Sequence, residues 1–256
     1  MAKIILNSEG KALLSKNNKV YKAPEQVDYL EQLCNDTLVS YSNSNVTKVK
    51  DSLFKGNIKL ESIDLPNATS VASSAFSGCS ALTSINLPNA KIISSWVFSN
   101  CSALENVSLP SATNIDYNTF NNCSALTEIY LPNVTNVGSS PFNNCNALIE
   151  IDLPSATSLG SSAFVECRKL ISVNIPLVAS IESSAFQRCS SLTDIYLGYD
   201  GIVNLKNTSA FSSAGTTQGY INVHVRPEYA NQYVDATNWS SLVADGTIVI
   251  VGDYND

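Results

Sequence analysis

The chain has 256 residues, 44% of them hydrophobic and only 14% charged, with a net charge of −7. The charge is unevenly spread: residues 1–60 hold nine Lys against six Asp and Glu, residues 61–225 balance to 5 − 11 = −6, and residues 226–256 to 1 − 5 = −4. An acidic body argues against nucleic acid as a partner, because a phosphate backbone requires a basic stripe, and no stretch approaches the roughly eighteen apolar residues needed to span a bilayer.

The first segment, residues 1–45, opens with Lys3-Ile4-Ile5-Leu6, an apolar run too short for the core of a signal peptide, so none is expected in this chain. Short apolar runs at Lys3–Leu6, Ala12–Leu14 and Val20–Tyr21 are split by Ser8-Glu9-Gly10 and Asn17-Asn18, which predicts a small hairpin or meander. Pro24 then opens a helix through Cys34, with Val27, Leu30, Leu33 and Cys34 on one face. The apolar end of a stacked array must be covered, so this segment reads as an N-terminal cap; its basic balance also suits an attachment piece.

Residues 46–198 hold a strict repeat. Cys79, Cys101, Cys123, Cys145, Cys167 and Cys189 fall 22 residues apart, as do Phe54 to Phe186 and Leu60 to Leu192. A fixed period of this length is the sequence signature of a solenoid. In a typical unit, Ile85 and Leu87 alternate with Ser84 and Asn86, so the segment is a strand that buries one set and displays the other. Stacked at about 4.8 Å per rung, these segments form a parallel sheet. The proline after each strand (Pro66, Pro88, Pro110, Pro132, Pro154, Pro176) cannot donate to a ladder and ends it. Val71, Ile93, Ile115, Val137, Leu159 and Ile181 form an inward row on the return side. Ser73-Ser74 and its equivalents are placed to cap a short helical turn. Gly78, Asn100, Asn122 and Asn144 tolerate the left-handed backbone that closes it.

The pattern Leu-x-x-Ile-x-Leu-Pro-x-Ala-x-x-Ile-x-x-x-Ala-Phe-x-x-Cys resembles the BspA-type (Treponema-type) leucine-rich repeat family over roughly residues 38–211. It departs from the commoner leucine-rich repeat in carrying Ala68, Ala90 and Ala112 where Asn or Cys usually follows the strand. The resemblance implies an α/β repeat fold. This is a right-handed leucine-rich-repeat solenoid with a parallel sheet on one face, short helical turns on the other, and caps at both ends. It also implies a binding role at a bacterial surface.

In residues 199–256 the pattern breaks. Gly198 stands in place of the proline, no seventh cysteine arrives on the period, and Phe211 comes 25 residues after Phe186. Tyr220–Val225 alternates like a strand, Pro227–Ala236 reads as a short helix and Thr247–Val251 as a final strand. Together they make an irregular last coil and a C-terminal cap, similar to the closing segment often seen in the family.

Little of this is catalytic chemistry. The single histidine, His224, has no cysteine or carboxylate at metal-ligand spacing. The cysteines all face the core in parallel, where free thiols pack as small hydrophobes and lack the mutual direction for an unstrained disulfide. No Gly-rich phosphate loop, Ser–His–Asp set or His-Glu-x-x-His motif occurs. No cofactor, metal or catalytic residue is expected, and the protein is read as a non-enzyme. A hidden acidic site at Glu128, Glu150 and Asp152 would need a pocket that a flat repeat face does not provide.

What remains is the outward strand face. It displays the carboxylates Asp64, Glu128, Glu150, Asp152 and Asp194 and no Lys or Arg, with Tyr130 and Tyr196 as exposed aromatics and Ile149 and Ile171 alongside. These seven charged and aromatic residues are the expected partner-binding positions on a concave surface suited to a basic or hydroxyl-rich partner, protein or glycan. The expected location, from the resemblance, is extracellular or on the cell surface. The absence of a signal motivates an alternative: a phage or prophage tail component that binds a receptor, attached through residues 1–45. The sequence sets no oligomeric state.

Overall fold

The computed structural model describes residues 38–254 and, ahead of them, the backbone of three short strands. Those strands, Lys3–Leu6, Ala12–Lys16 and Lys19–Lys22, pair antiparallel in sequence order, with Ile4 opposite Leu14 and Leu14 opposite Tyr21. This is the meander that the apolar runs and intervening turns predict. The helix expected over Pro24–Cys34 lies outside the described residues.

From Ser40 the chain winds into a solenoid, each coil passing three sides. The front carries three-residue strands, from Ser40–Ser42 through Ser62–Asp64 and onward at 22-residue intervals to Asp194–Leu197. Paired strands are parallel and in register, Ser62 with Ser84 and Asp64 with Asn86. The return side carries eight two-residue strands, from Lys48–Val49 to Asn204–Leu205, joined in one uninterrupted parallel sheet. Their inward residues Val71, Ile93, Ile115, Val137, Leu159 and Ile181 are buried, as the sequence row requires.

The third side is a run of turns. Ser77 N–H bonds the Ser74 carbonyl and Cys79 N–H the Phe76 carbonyl, i→i+3 closures of helical type. Alternate N–H groups, however, reach to the next coil: Ser74 to Ser95, Phe76 to Val97 and Gly78 to Ser99. A helix needs those donors for itself, so the expected helical turns stay single turns. Among the described residues no serine hydroxyl of these turns accepts a backbone N–H as a cap would. Ser74, Ser140, Ser162 and Ser184 themselves take left-handed backbone, with φ of 55–58°. A second left-handed position falls at Gly78, Asn100, Asn122 and Asn144, as expected, and continues at Glu166 and Arg188. There Glu166 is clasped by Arg168 and Arg188, each at 2.6 Å, and those two hydrogen-bonded guanidinium groups hold its carboxyl below the usual range.

Between the three sides lies the core. Its spine is the phenylalanine row, whose rings stack with centroids 5.2–5.6 Å apart from Phe54 through Phe211. Tyr41 leans on Phe54 at one end and Trp239 on Phe211 at the other. The three-residue insertion before Phe211 therefore does not break the row. Two of its residues are taken up before the return strand Asn204–Leu205, and the third between that strand and the 3-10 helix Thr208–Phe211, whose start is capped by the Asn207 side chain.

The last segment extends the front sheet. Ile221–Val225 pairs parallel with Asp194–Leu197, and Ile248–Val251 pairs parallel with Ile221–Val225. Helix α1, Ala230–Asp235, follows a 3-10 turn at Pro227–Tyr229 and fits the expected helix; α2, Trp239–Ala244, was not expected. The Trp239 indole N–H donates to the Val203 carbonyl, and the Tyr233 hydroxyl accepts from Val203 N–H. Gly198 replaces the proline because the Tyr254 ring lies over it: a Cβ would sit 2.5 Å from that ring.

Candidate functional site

The cysteines are removed from chemistry by their surroundings. All six in the array are free and buried, and each thiol donates to the carbonyl of the phenylalanine 25 residues earlier, Cys123 to Phe98 at 3.1 Å and Cys145 to Phe120 at 3.2 Å. Burial pushes the thiols from Cys101 to Cys189 well up, so none is available as a thiolate nucleophile or metal ligand. Asn57 and Ala214 occupy the cysteine position in the first and last coils; Asn57 instead bonds the Leu38 carbonyl and the Lys59 and Leu60 N–H groups.

His224 does find carboxylates, from positions 29 and 30 residues away that spacing could not reveal. Its Nδ1 lies 2.8 Å from Asp253 and its Nε2 3.0 Å from Asp194, while its ring stacks on Tyr196 at 4.3 Å. Burial works to lower its pKa, but the hydrogen bonds it makes to Asp194 and Asp253 outweigh it and the net shift is upward. The arrangement clamps the last strand of the chain to the front sheet. Among the described residues no group of three or more His, Cys, Asp or Glu could hold a metal ion.

The front sheet is not continuous. Its strands form separate ladders of three, two and five, with pairing absent between Ser84–Asn86 and Asn106–Ser108 and again between Glu128–Tyr130 and Glu150–Asp152. At both gaps the central isoleucine of the preceding strand, Ile85 or Ile129, is only half-buried, where Ile63, Val107, Ile151, Val173 and Ile195 are fully covered. Across both breaks runs a groove of about 740 Å³, within the range of ligand pockets, that spans five coils of the front face. Its floor includes Ile85, Val107, Ile129 and Ile151, and its walls carry Asn106, Ser108, Glu128, Tyr130, Glu150, Asp152, Ser172 and Asn174.

Four of the seven expected positions, Glu128, Tyr130, Glu150 and Asp152, thus share one groove. The other three lie outside its lining. Asp64 accepts from Asn86 at 2.7 Å and from Ser42 at 2.8 Å, and these bonds lower its pKa. Asp194 is held by Thr193, Asn222 and His224; burial alone would raise its pKa, but these bonds bring it down. Tyr196 lies under the His224 ring, with its hydroxyl pKa raised by burial and then by the nearby Asp194 and Asp253 charges. Asp152 accepts from Asn174 at 2.9 Å. Each aspartate of the face is therefore met by an amide on the next strand. Glu128 and Glu150, adjacent and exposed, have no such partner among the described residues, and Tyr130 beside them is 58% exposed.

The sequence profile of the BspA type leucine rich repeat region matches residues 31–148 and 113–233, in 6 copies. The chain belongs to that family. No curated protein matches it. Among solved structures it is similar to a leucine rich repeat protein of T. pallidum, at 19% identity and a TM-score of 0.50, over 84% of this chain and 87% of that one. At that identity the likeness shows the fold: a parallel-sheet solenoid. A leucine rich cell surface protein of Faecalibacterium prausnitzii (18% identity, TM-score 0.40, covering 88% and 94%) is more distant, as is the pneumococcal vaccine antigen PcpA (15%, 0.32, covering 95% and 88%). No helix among the described residues is long and apolar enough to cross a membrane.

Proposed function

We propose that the protein is a non-enzymatic binding protein of a bacterial surface, and that its front groove takes a basic segment of a protein partner. The observation that carries this is the pair Glu128 and Glu150, the carboxylates left uncompensated on a face whose aspartates are all satisfied. An ammonium or guanidinium group laid between them gains charge-assisted hydrogen bonds. The exposed Tyr130 ring and the half-buried Ile85 and Ile129 supply apolar contact beneath its aliphatic stem. Family membership supports the surface role. A glycan is the weaker occupant of this groove, because neutral hydroxyls leave the two full charges unmatched. The named relatives are bacterial, and no observation supports a phage tail component.

The test is an array of extracellular-matrix proteins and Lys/Arg-rich peptides, probed with the wild type and with Glu128→Gln/Glu150→Gln. Salt-sensitive binding to a basic probe, weakened about tenfold or more by the double substitution, is expected where close charge pairs dominate. The pair Tyr130→Ala and Asp152→Lys weakens the same binding without unfolding. Unchanged affinity in these variants sinks the groove assignment, and glycan turnover abolished by Glu150→Gln sinks the non-enzyme reading.

A further inference from the structure

The corner between the return side and the turns repeats small polar residues coil after coil. The position before the left-handed residue is Ser73, Ser95, Ser139, Ser161 and Ser183; the left-handed residue itself is Ser74, Asn118, Ser140, Ser162 and Ser184. At one place the rule is broken twice, and an apolar residue stands on the return strand beside the break. Ile92, Trp96 and Tyr117 replace polar residues in neighbouring coils, and they are 60%, 38% and 47% exposed. None of this serves the core, which runs behind them through Ile93 and Val97, both buried.

The tryptophan is the telling substitution. Its backbone sits at φ 62°, a region where a bulky side chain is an outlier and where Asn118 fills the same position one coil later at φ 53°. A strained residue that packs nothing inside points to a role outside. The Trp96 and Tyr117 rings meet edge to face at 5.2 Å and 76°, tied by the bond from Trp96 N–H to the Tyr117 carbonyl, 3.0 Å. The edge of one ring thus rests on a face of the other, and both side chains stay partly open to solvent. Along the adjacent return strand the neighbours are polar and already aligned: Asn136 donates to Asn114 at 2.7 Å, and Asn114 to Asp116 at 2.9 Å.

We infer that the corner of Ile92, Trp96 and Tyr117 is a second binding site, separate from the front groove, and that it takes a neutral sugar ring of a glycan. Size and chemistry select that occupant. Three side chains fall far short of the roughly 800 Å² per partner that a stable protein interface buries. A wholly apolar small molecule needs a concavity, and this corner is open. A pyranose ring has an apolar C–H face to lay on an aromatic ring and an equatorial rim of hydroxyls for the Asn114 and Asp116 side chains. The site is independent of Glu128 and Glu150, so failure here leaves the groove reading standing, and the reverse.

The experiment uses the full chain on a printed array of neutral oligosaccharides built from hexoses and N-acetylhexosamines. Trp96→Asn, Tyr117→Ala and Glu128→Gln/Glu150→Gln are run beside it. Binding to at least one neutral glycan, lost tenfold or more in Trp96→Asn and Tyr117→Ala and unchanged in the groove double variant, is the expected result. Because asparagine suits left-handed backbone, Trp96→Asn keeps or raises the melting temperature while binding is lost, a separation that a structural role for Trp96 does not produce. Titrating the best-scoring free oligosaccharide quenches or blue-shifts the emission of exposed Trp96, while Trp239, the other of the two tryptophans, is buried and silent. The inference is overturned by no neutral glycan bound above the Trp96→Asn background, by a melting temperature that falls in that variant together with binding, or by a concentration-dependent dimer that Trp96→Asn abolishes.

Discussion

The return side and the front of the same coils follow one period, yet only the return side is a continuous sheet. On the return side the inward residues are buried and most outward ones are small or polar, so nothing opposes the ladder from end to end. On the front the ladder is cut twice, and one cut falls between Glu128 and Glu150, like charges on consecutive coils at the same position. Like charges directly opposite one another on a sheet are destabilising. The other cut, between Ser84–Asn86 and Asn106–Ser108, has no such charge pair and nothing in the structure explains it. The lesson is a division of labour within each coil: the turns and return side hold the solenoid together, which leaves the front free to carry side chains that weaken it.

The largest effect expected of this division lies in the spine. Phe120→Ala removes a fully buried ring from the middle of the stack and lowers stability by about 3–5 kcal/mol, read as a fall in melting temperature by calorimetry or circular dichroism. A loss below about 1 kcal/mol would mean that the front ladder, not the core behind it, carries the fold.

The two cuts give the next test. Leu65 and Leu109 N–H bond the carbonyls of Asn86 and Tyr130 on the next coil, but Leu87 and Leu131, the equivalent positions at the cuts, have no such acceptor among the described residues. Their amides should exchange with deuterium at least about tenfold faster than those of Leu65 and Leu109. Glu128→Lys places an opposite charge beside Glu150 and should add about 0.2–1 kcal/mol of stability while slowing exchange at Leu131. Equal exchange at all four leucines would erase the contrast between front and return.

The smallest effect concerns the clamp at the last coil. The folded pKa of His224 is raised above its ordinary 6.5, so its contribution is complete below that value and is lost as pH rises through the folded pKa. Asp194 is shifted the other way: its contribution is present above the ordinary aspartate value of 3.8 and is lost as pH falls through its lowered one. The melting temperature should therefore be modestly higher near pH 6 than near pH 8.5. His224→Gln should abolish that difference; a difference that survives it assigns the pH dependence elsewhere.

How much of this could be read from the residues follows from locality. Anything fixed by the period was legible: the strand rows, the prolines that end them, the buried cysteines, the left-handed Gly78 and Asn100. Residues that leave the period were not. Phe211 looked displaced because its insertion could be counted but not folded, and α2 carried no helix signal strong enough to separate it from the loop around Asn238. Asp194 and Tyr196 looked like exposed partners of Glu150 and Tyr130, yet they lie beside a strand whose register with them spans an irregular loop. The two breaks in the front ladder were invisible, since a break is a property of how neighbours fail to pair, and the strands on either side carry ordinary repeat residues.

The thiol bonds have one more consequence, for how such a chain can evolve. Each cysteine donates backward to the phenylalanine of an earlier coil, so along this row every interior junction is alike and either side accepts any copy of the unit. A duplication or deletion of one whole coil leaves no donor unpaired and no ring unstacked, provided the terminal variants at Asn57 and Ala214 stay at the ends. Length is then nearly neutral, and each event slides the front residues past one another into new neighbours. Glutamates at the same position of consecutive coils, as at Glu128 and Glu150, are what the copying of one coil beside itself produces.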